Sequence, residues 1–211
     1  MAILKQGALG AISGKVGPIV GSSWKGKAYI RSMALSYNDA NTEEQQMQRQ
    51  KFGVMGKFVA GASGFVKYGF KSQAKGMTEC NAAMSYNVVN AIGGTFPNYK
   101  VDFASVLLSK GSLAEPYAPS VTVVEDSLVL GWTDNSGVGN ADANDFMMYY
   151  LYNSSKGNSV YNTEACVRSA TTFTVSLPSL WSGDSVEVYI AFRSHNSAES
   201  SNSLYLGSVN V

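Results

Sequence analysis

The sequence predicts an α+β N-terminal region, a β-hairpin plus helices, followed by an all-β sandwich. Three observations carry that reading. Apolar residues recur at helical spacing between about residues 42 and 92, seven short β-rich runs fill the stretch after residue 119, and a proline-containing joint separates the two patterns. The expected domains are a basic α+β docking domain over residues 1–115 and an acidic sandwich over 116–211.

Residues 14–33 read as a β-hairpin. The run Gly14–Trp24 is joined through Lys25-Gly26-Lys27 to Ala28–Met33, and both runs are rich in β-branched or aromatic residues. Pro18 lacks a backbone N–H, which marks the first run as an edge strand or a bulge site. An exposed edge of this kind can take a strand from a neighbour. A helix is expected from Asn41 or Thr42, because Thr42-Glu-Glu-Gln45 fits a capping box. Met47, Val54, Met55, Phe58, Val59 and Ala62 then follow helical spacing, with Arg49, Lys51 and Lys57 off that stripe. Gly61-Ala-Ser-Gly64 interrupts the helix, and another runs from Thr78 to about Ile92, ended by Gly93-Gly94. Tyr99–Leu108 alternates as a strand would.

Pro116 and Pro119 favour an extended linker. After it come runs at 120–124, 128–133, 146–153, 160–167, 171–177, 185–193 and 203–211, the pattern of an immunoglobulin-like sandwich. Pro119-Ser-Val-Thr-Val, Leu128-Val-Leu-Gly-Trp132, Leu177-Pro178 and Gly183-Asp184-Ser-Val-Glu-Val-Tyr189 resemble a fibronectin type III domain over roughly residues 117–211. Trp132 takes the place of that fold's core tryptophan. Val186 stands where its corner tyrosine would be, so that hydrogen bond is missing and Trp181 is expected to supply the packing.

The N-terminal run Gly14–Ser32, followed by Thr42-Glu-Glu-Gln45-Gln-Met-Gln48-Arg49-Gln-Lys51-Phe52, resembles an uncharacterised protein family widespread in Bacteroidota. Asn81-Ala-Ala-Met-Ser-Tyr-Asn87, Gly183-Asp184 and Tyr205-Leu-Gly207 extend the likeness over nearly the whole chain. The glycine-rich hairpin with Thr-x-x-Gln-x-x-x-Arg is also similar to short proteins encoded in phage genomes, although Ala40 stands where those carry a proline. The resemblance implies no activity.

Charge is divided between the halves. Residues 1–80 carry eleven basic against four acidic side chains, and residues 111–211 carry three against ten, so the net +1 hides two opposite surfaces. Such asymmetry suggests an anionic partner for the basic end, or head-to-tail association of copies.

Chemistry is sparse. His195 is the single histidine and sits in a polar loop with Ser194, Ser197 and Glu199, which is not a triad signature. No nucleophile elbow, phosphate loop or zinc motif occurs, and Gly14-Lys15 leads to Val16 rather than Ser or Thr. Residues 134–145 offer oxygens that Ca²⁺ could use, but lack EF-hand spacing and read as a polar hairpin loop. Cys80 and Cys166 read as small buried hydrophobes in a reducing compartment. No apolar run spans a bilayer, and the first residues do not read as a secretory signal, so a virion or the bacterial cytoplasm is expected.

The expected function is therefore a non-enzymatic structural or assembly protein, of phage or prophage virion type, without cofactor, metal or small-molecule substrate. Its expected partners are further copies of itself or other structural proteins. The expected partner-binding residues are Trp24, Lys25, Lys27, Tyr29, Arg31, Arg49 and Lys51, where basic groups interleave with aromatics. The same pattern would suit a sequence-nonspecific nucleic-acid-binding protein. A surface adhesion or carbohydrate-binding module is a third reading, resting on the sandwich alone.

Overall fold

The computed structural model describes residues 3–4, 10–24, 26–34, 36, 38–125 and 127–211. The chain divides into two compact units, Met1–Glu43 and Glu44–Val211.

The first unit is an antiparallel sheet of β1 (Ile3–Leu4), β2 (Ile12–Val16), β3 (Ile19–Trp24) and β4 (Lys27–Ser32), paired in that order. The single strand expected over residues 14–24 is in fact two. Gly17-Pro18 forms a two-residue turn between Val16 and Ile19, with Gly17 at φ +55°, a conformation that glycine adopts without steric cost. Pro18 thus sits in a turn, where its missing donor removes no ladder bond. The second turn, between Trp24 and Lys27, has Gly26 at φ +79°. Lys25, in that turn, lies outside the described residues.

Helix α1 (Glu43–Gly61) starts directly after Thr42, where the capping box places it, and all of it but Glu43 belongs to the second unit. Next come α2 (Ser63–Gly69) and α3 (Glu79–Asn90), the latter capped by Thr78, whose hydroxyl accepts from the Asn81 amide at 3.2 Å. Helix α3 runs into β5 (Ile92–Gly93), which pairs with β6 (Lys100–Val101). The strand expected over residues 99–108 stops there. Phe103–Ser105 is a 3₁₀ turn, and residues 106–110 that follow are not in a strand. Side chains take their backbone groups instead. The Asn87 amide accepts from Leu107 N at 2.9 Å and donates to Leu107 O at 2.8 Å, and Ser203 Oγ accepts from Leu108 N at 2.9 Å.

Seven strands follow: β7 (Tyr117–Val124), β8 (Ser127–Thr133), β9 (Phe146–Asn153), β10 (Asn158–Val167), β11 (Thr172–Ser176), β12 (Ser185–Arg193) and β13 (Leu204–Asn210). They form two antiparallel sheets, ordered β10-β9-β12-β13 and β11-β8-β7. Along β8, Leu128, Leu130 and Trp132 alternate inward; the Trp132 indole donates to Arg168 O at 2.7 Å. Trp181 and Val186 are buried in the same apolar cluster.

Strands β9 and β12 are buried on both faces. Met147, Tyr149, Leu151, Val188, Ile190 and Phe192 face the three-stranded sheet. The alternate residues Met148, Tyr150, Tyr189 and Ala191 pack against Phe58, Phe65, Val66 and Phe70 of the helical segment. Alternation along a strand explains this division, and full cover explains why both strands read as unbroken apolar runs. The expected boundary at 115/116 therefore lies inside the second unit, since helices and sandwich share a core. Both buried clusters are built wholly from residues between 55 and 211. No described helix is long and apolar enough to cross a membrane.

Candidate functional site

In the first unit, the pairing register decides which side chains meet. Directly opposed residues in an antiparallel sheet project to the same side, and successive residues alternate. Lys15 opposes Val20, which opposes Arg31; Ser22 opposes Tyr29; Trp24 opposes Lys27. One face therefore carries Lys15, Lys27 and Arg31 beside Trp24 and Tyr29. All five are exposed, with the two aromatics at 49% and 47%. Soluble proteins seldom leave such rings open on a sheet, and clustered exposed apolar surface marks an interaction site.

The opposite face has another character. Val16, Ile19, Ala28 and Ile30 project from it, with only glycine and serine between them, so it is free of charge among the described residues. The Ile12 backbone passes over Gly21, where a Cβ would collide with the Ile12 carbonyl.

The sheet gathers Trp24, Lys27, Tyr29 and Arg31 as the sequence suggested, and adds Lys15, which had not been singled out. The signal for Lys15 was the Gly17-Pro18 turn, which folds it back across Val20 from Arg31. The other two expected residues are on α1, in the second unit. Arg49 is exposed beside Phe52. Lys51 is half-buried, its ammonium 5.0 Å above the Tyr99 ring, a cation–π contact inside its own unit.

The polar groups that the sequence singled out around His195 and in the 134–145 loop are occupied structurally. His195 Nδ1 lies 3.9 Å from Asp142 and 3.8 Å from Asp145, while Ser194, Ser197 and Glu199 bond with Asn196, the Glu199 amide and Ser112. In the 134–145 loop, Asp134 accepts from the Ser136 hydroxyl and amide, which hold its carboxyl below the usual range. Asp142 accepts from Asn144, and Asp145 from Arg168 and the Asp142 amide. The loop oxygens thus hold the loop itself. Among the described residues no group of three or more His, Cys, Asp or Glu could hold a metal ion. Cys80 and Cys166 are free thiols, in α3 and β10.

Comparison with known proteins gives a family and a distant likeness. The chain is similar to the fn3 domain of human collagen alpha-1(XX) chain, at 22% identity and a TM-score of 0.34, over 49% of this chain and 87% of that one. No curated protein matches it. Residues 11–207 match a family described as "Family of unknown function (DUF6266)", and the chain belongs to that family.

Proposed function

We propose that the chain is a non-enzymatic structural or assembly protein that docks through the basic, aromatic face of its N-terminal sheet. The register that puts Lys15, Lys27 and Arg31 around exposed Trp24 and Tyr29 carries this reading. Partners are acidic protein surfaces, including the acidic half of a neighbouring copy, which holds ten carboxylates against three basic side chains, with Asp145, Glu187 and Arg168 buried among them. The likeness of the glycine-rich hairpin to short phage-encoded proteins supports a virion setting.

Sedimentation of the full chain tests the reading. Association should weaken as salt rises, because exposed charges are screened within about 8–10 Å at physiological ionic strength. Reversing Lys25, Lys27 and Arg31 to Glu should abolish that salt-sensitive association, since like charges across an interface cost several kcal/mol. The thermal melt should stay unchanged, because exposed charges contribute roughly 0–1 kcal/mol each. Undiminished association with a normal melt would place the contact elsewhere.

A second reading is nucleic-acid binding without sequence preference. Trp24 and Tyr29 could stack bases while Lys15, Lys27 and Arg31 hold phosphates. A gel shift with single-stranded and duplex oligonucleotides at low salt distinguishes it, and no shift would remove it.

A further inference from the structure

The N-terminal sheet ends in an open edge. Strand β4 is last in the order β1-β2-β3-β4, and all six of its residues are exposed. Its register with β3 runs unbroken from Lys27 to Ser32, with neither a bulge nor a proline to spoil further pairing. Parity fixes where its backbone points. The Met33 amide donates to Pro18 O at 2.7 Å, and bonded pairs in an antiparallel ladder recur at every second residue. Lys27, Tyr29 and Arg31 therefore bond to β3, while Ala28, Ile30 and Ser32 direct their N–H and C=O groups away from it. Among the described residues no strand takes those groups.

The side chains select what can lie there. Lys27, Tyr29 and Arg31 project to the basic aromatic face, and Ala28 and Ile30 to the neutral one. A second β4 laid fully alongside would bring Lys27 and Arg31 close to like charges, the means by which charged edges refuse copies of themselves. A strand carrying carboxylates on that face meets opposite charge instead. We propose that an extended acidic segment of a partner protein adds to β4 as a further antiparallel strand. Its carboxylates lie opposite Lys27 and Arg31, and small or β-branched residues lie opposite Ala28 and Ile30.

Main-chain bonds give an added strand its affinity, and alternate side chains give it specificity. Ala28, Ile30 and Ser32 each offer a donor and an acceptor, along a strand about 20 Å long. This mode of binding rests on the docking reading above and narrows its partner from an acidic surface to an extended acidic segment. It also dictates which partner amides matter. Residues opposite Ala28 and Ile30 point their N–H groups toward β4, whereas the carboxylate-bearing residues between them point theirs away.

Fluorescence anisotropy of the full chain with a labelled peptide in which Glu alternates with Val or Thr tests the proposal. The expected result is saturable binding that weakens as salt rises. N-methylating the Val and Thr amides should weaken binding roughly tenfold or more, whereas N-methylating the Glu amides should leave it within about twofold. Ile30→Pro should weaken binding comparably with an unchanged thermal melt, because that N–H makes no bond to β3. If that variant melts early, the methylated peptides alone decide. No peptide binding at low salt, or equal effects of the two methylation patterns, would overturn the added strand. So would undiminished binding to a folded Ile30→Pro chain, or an oligonucleotide that binds where the peptide does not. Salt-sensitive association of the full chain that persists beside any of the peptide failures would leave the docking reading standing. Peptide binding that depends on the methylation pattern but ignores salt and Arg31→Glu would overturn the docking reading, and with it the choice of an acidic segment.

Discussion

Arg168 and Asp145 form an ion pair that is wholly buried, with Nη2 and Oδ2 3.1 Å apart. The guanidinium also donates to Asn135 Oδ1 at 2.7 Å and Ala114 O at 3.0 Å, and lies 3.9 Å above the Phe192 ring. Burial pushes the Arg168 pKa down while Asp145 opposes that shift, and an arginine stays charged across the accessible range. The pair ties the 134–145 loop and the segment before β7 to the end of β10.

Removing one partner should therefore cost more than removing both. Arg168→Met leaves the Asp145 carboxylate buried without its counter-charge, with an expected loss of about 3–5 kcal/mol in urea unfolding. The double variant Arg168→Met with Asp145→Leu should recover most of that loss. Equal losses in the single and double variants would show that packing, rather than the uncompensated charge, dominates.

Gly69 ends α2 where the chain leaves no room for a side chain. A Cβ there would lie 2.5 Å from Leu108 O and 2.8 Å from Ser109 atoms, and its own carbonyl accepts from Ser200 Oγ at 2.9 Å and Lys110 N at 2.9 Å. Backbone atoms cannot move aside as a flexible side chain can. Gly69→Ala should destabilise the second unit by roughly 1–3 kcal/mol or more, measured by chemical denaturation. Gly53→Ala on α1, which meets nothing within 4 Å, should instead stabilise slightly.

Much of the second unit was legible because its patterns are local. Leu128, Leu130 and Trp132 alternate in the sequence as they do in β8, and Thr42 and Thr78 mark helix starts in few residues. What stayed hidden depends on distant partners. Nothing local shows that Tyr150 faces Phe58 and Phe65 while Tyr149 faces Phe173, since both neighbours in β9 are apolar. Nothing local marks Arg168 as buried, because its partner Asp145 is 23 residues away in sequence. The helical segment and the sandwich looked separable because the Pro116–Pro119 joint is a local signal and their shared core is not. In the candidate site, Trp24, Lys27, Tyr29 and Arg31 could be placed together across one turn. Lys15 required recognising a second turn at Gly17-Pro18.

Alkaline pH should destabilise the second unit. Burial raises the Cys166 thiol to about 11 and the Tyr150 hydroxyl to about 12. In the unfolded chain these groups ionise near their ordinary values, about 8.5 and about 10. Above those values the unfolded state binds fewer protons than the folded state, so stability falls as pH rises. The unfolding midpoint should be flat near neutrality and decline once pH passes about 9. Cys166→Ala should remove the earliest part of the decline. The same burial keeps the thiolate scarce, so Cys166 should react with a disulfide reagent far more slowly in the native than in the unfolded chain at pH 8.

The register of the N-terminal sheet makes a prediction that linear sequence does not. Lys15 and Arg31 lie in different strands, yet both flank Val20 on one face, whereas Val16, next to Lys15, projects from the other. Lys15→Glu should therefore weaken salt-sensitive association about as much as Arg31→Glu does. Rim charges act chiefly on encounter and its salt dependence, so each reversal should lower the association rate most at low salt. Val16→Ser should leave that rate unchanged, because it alters only the neutral face. Stopped-flow or surface-binding kinetics at two ionic strengths would measure all three. If Lys15→Glu has no effect while Arg31→Glu does, the binding surface is confined to the Trp24–Lys27 end and β4 edge rather than spread across the face.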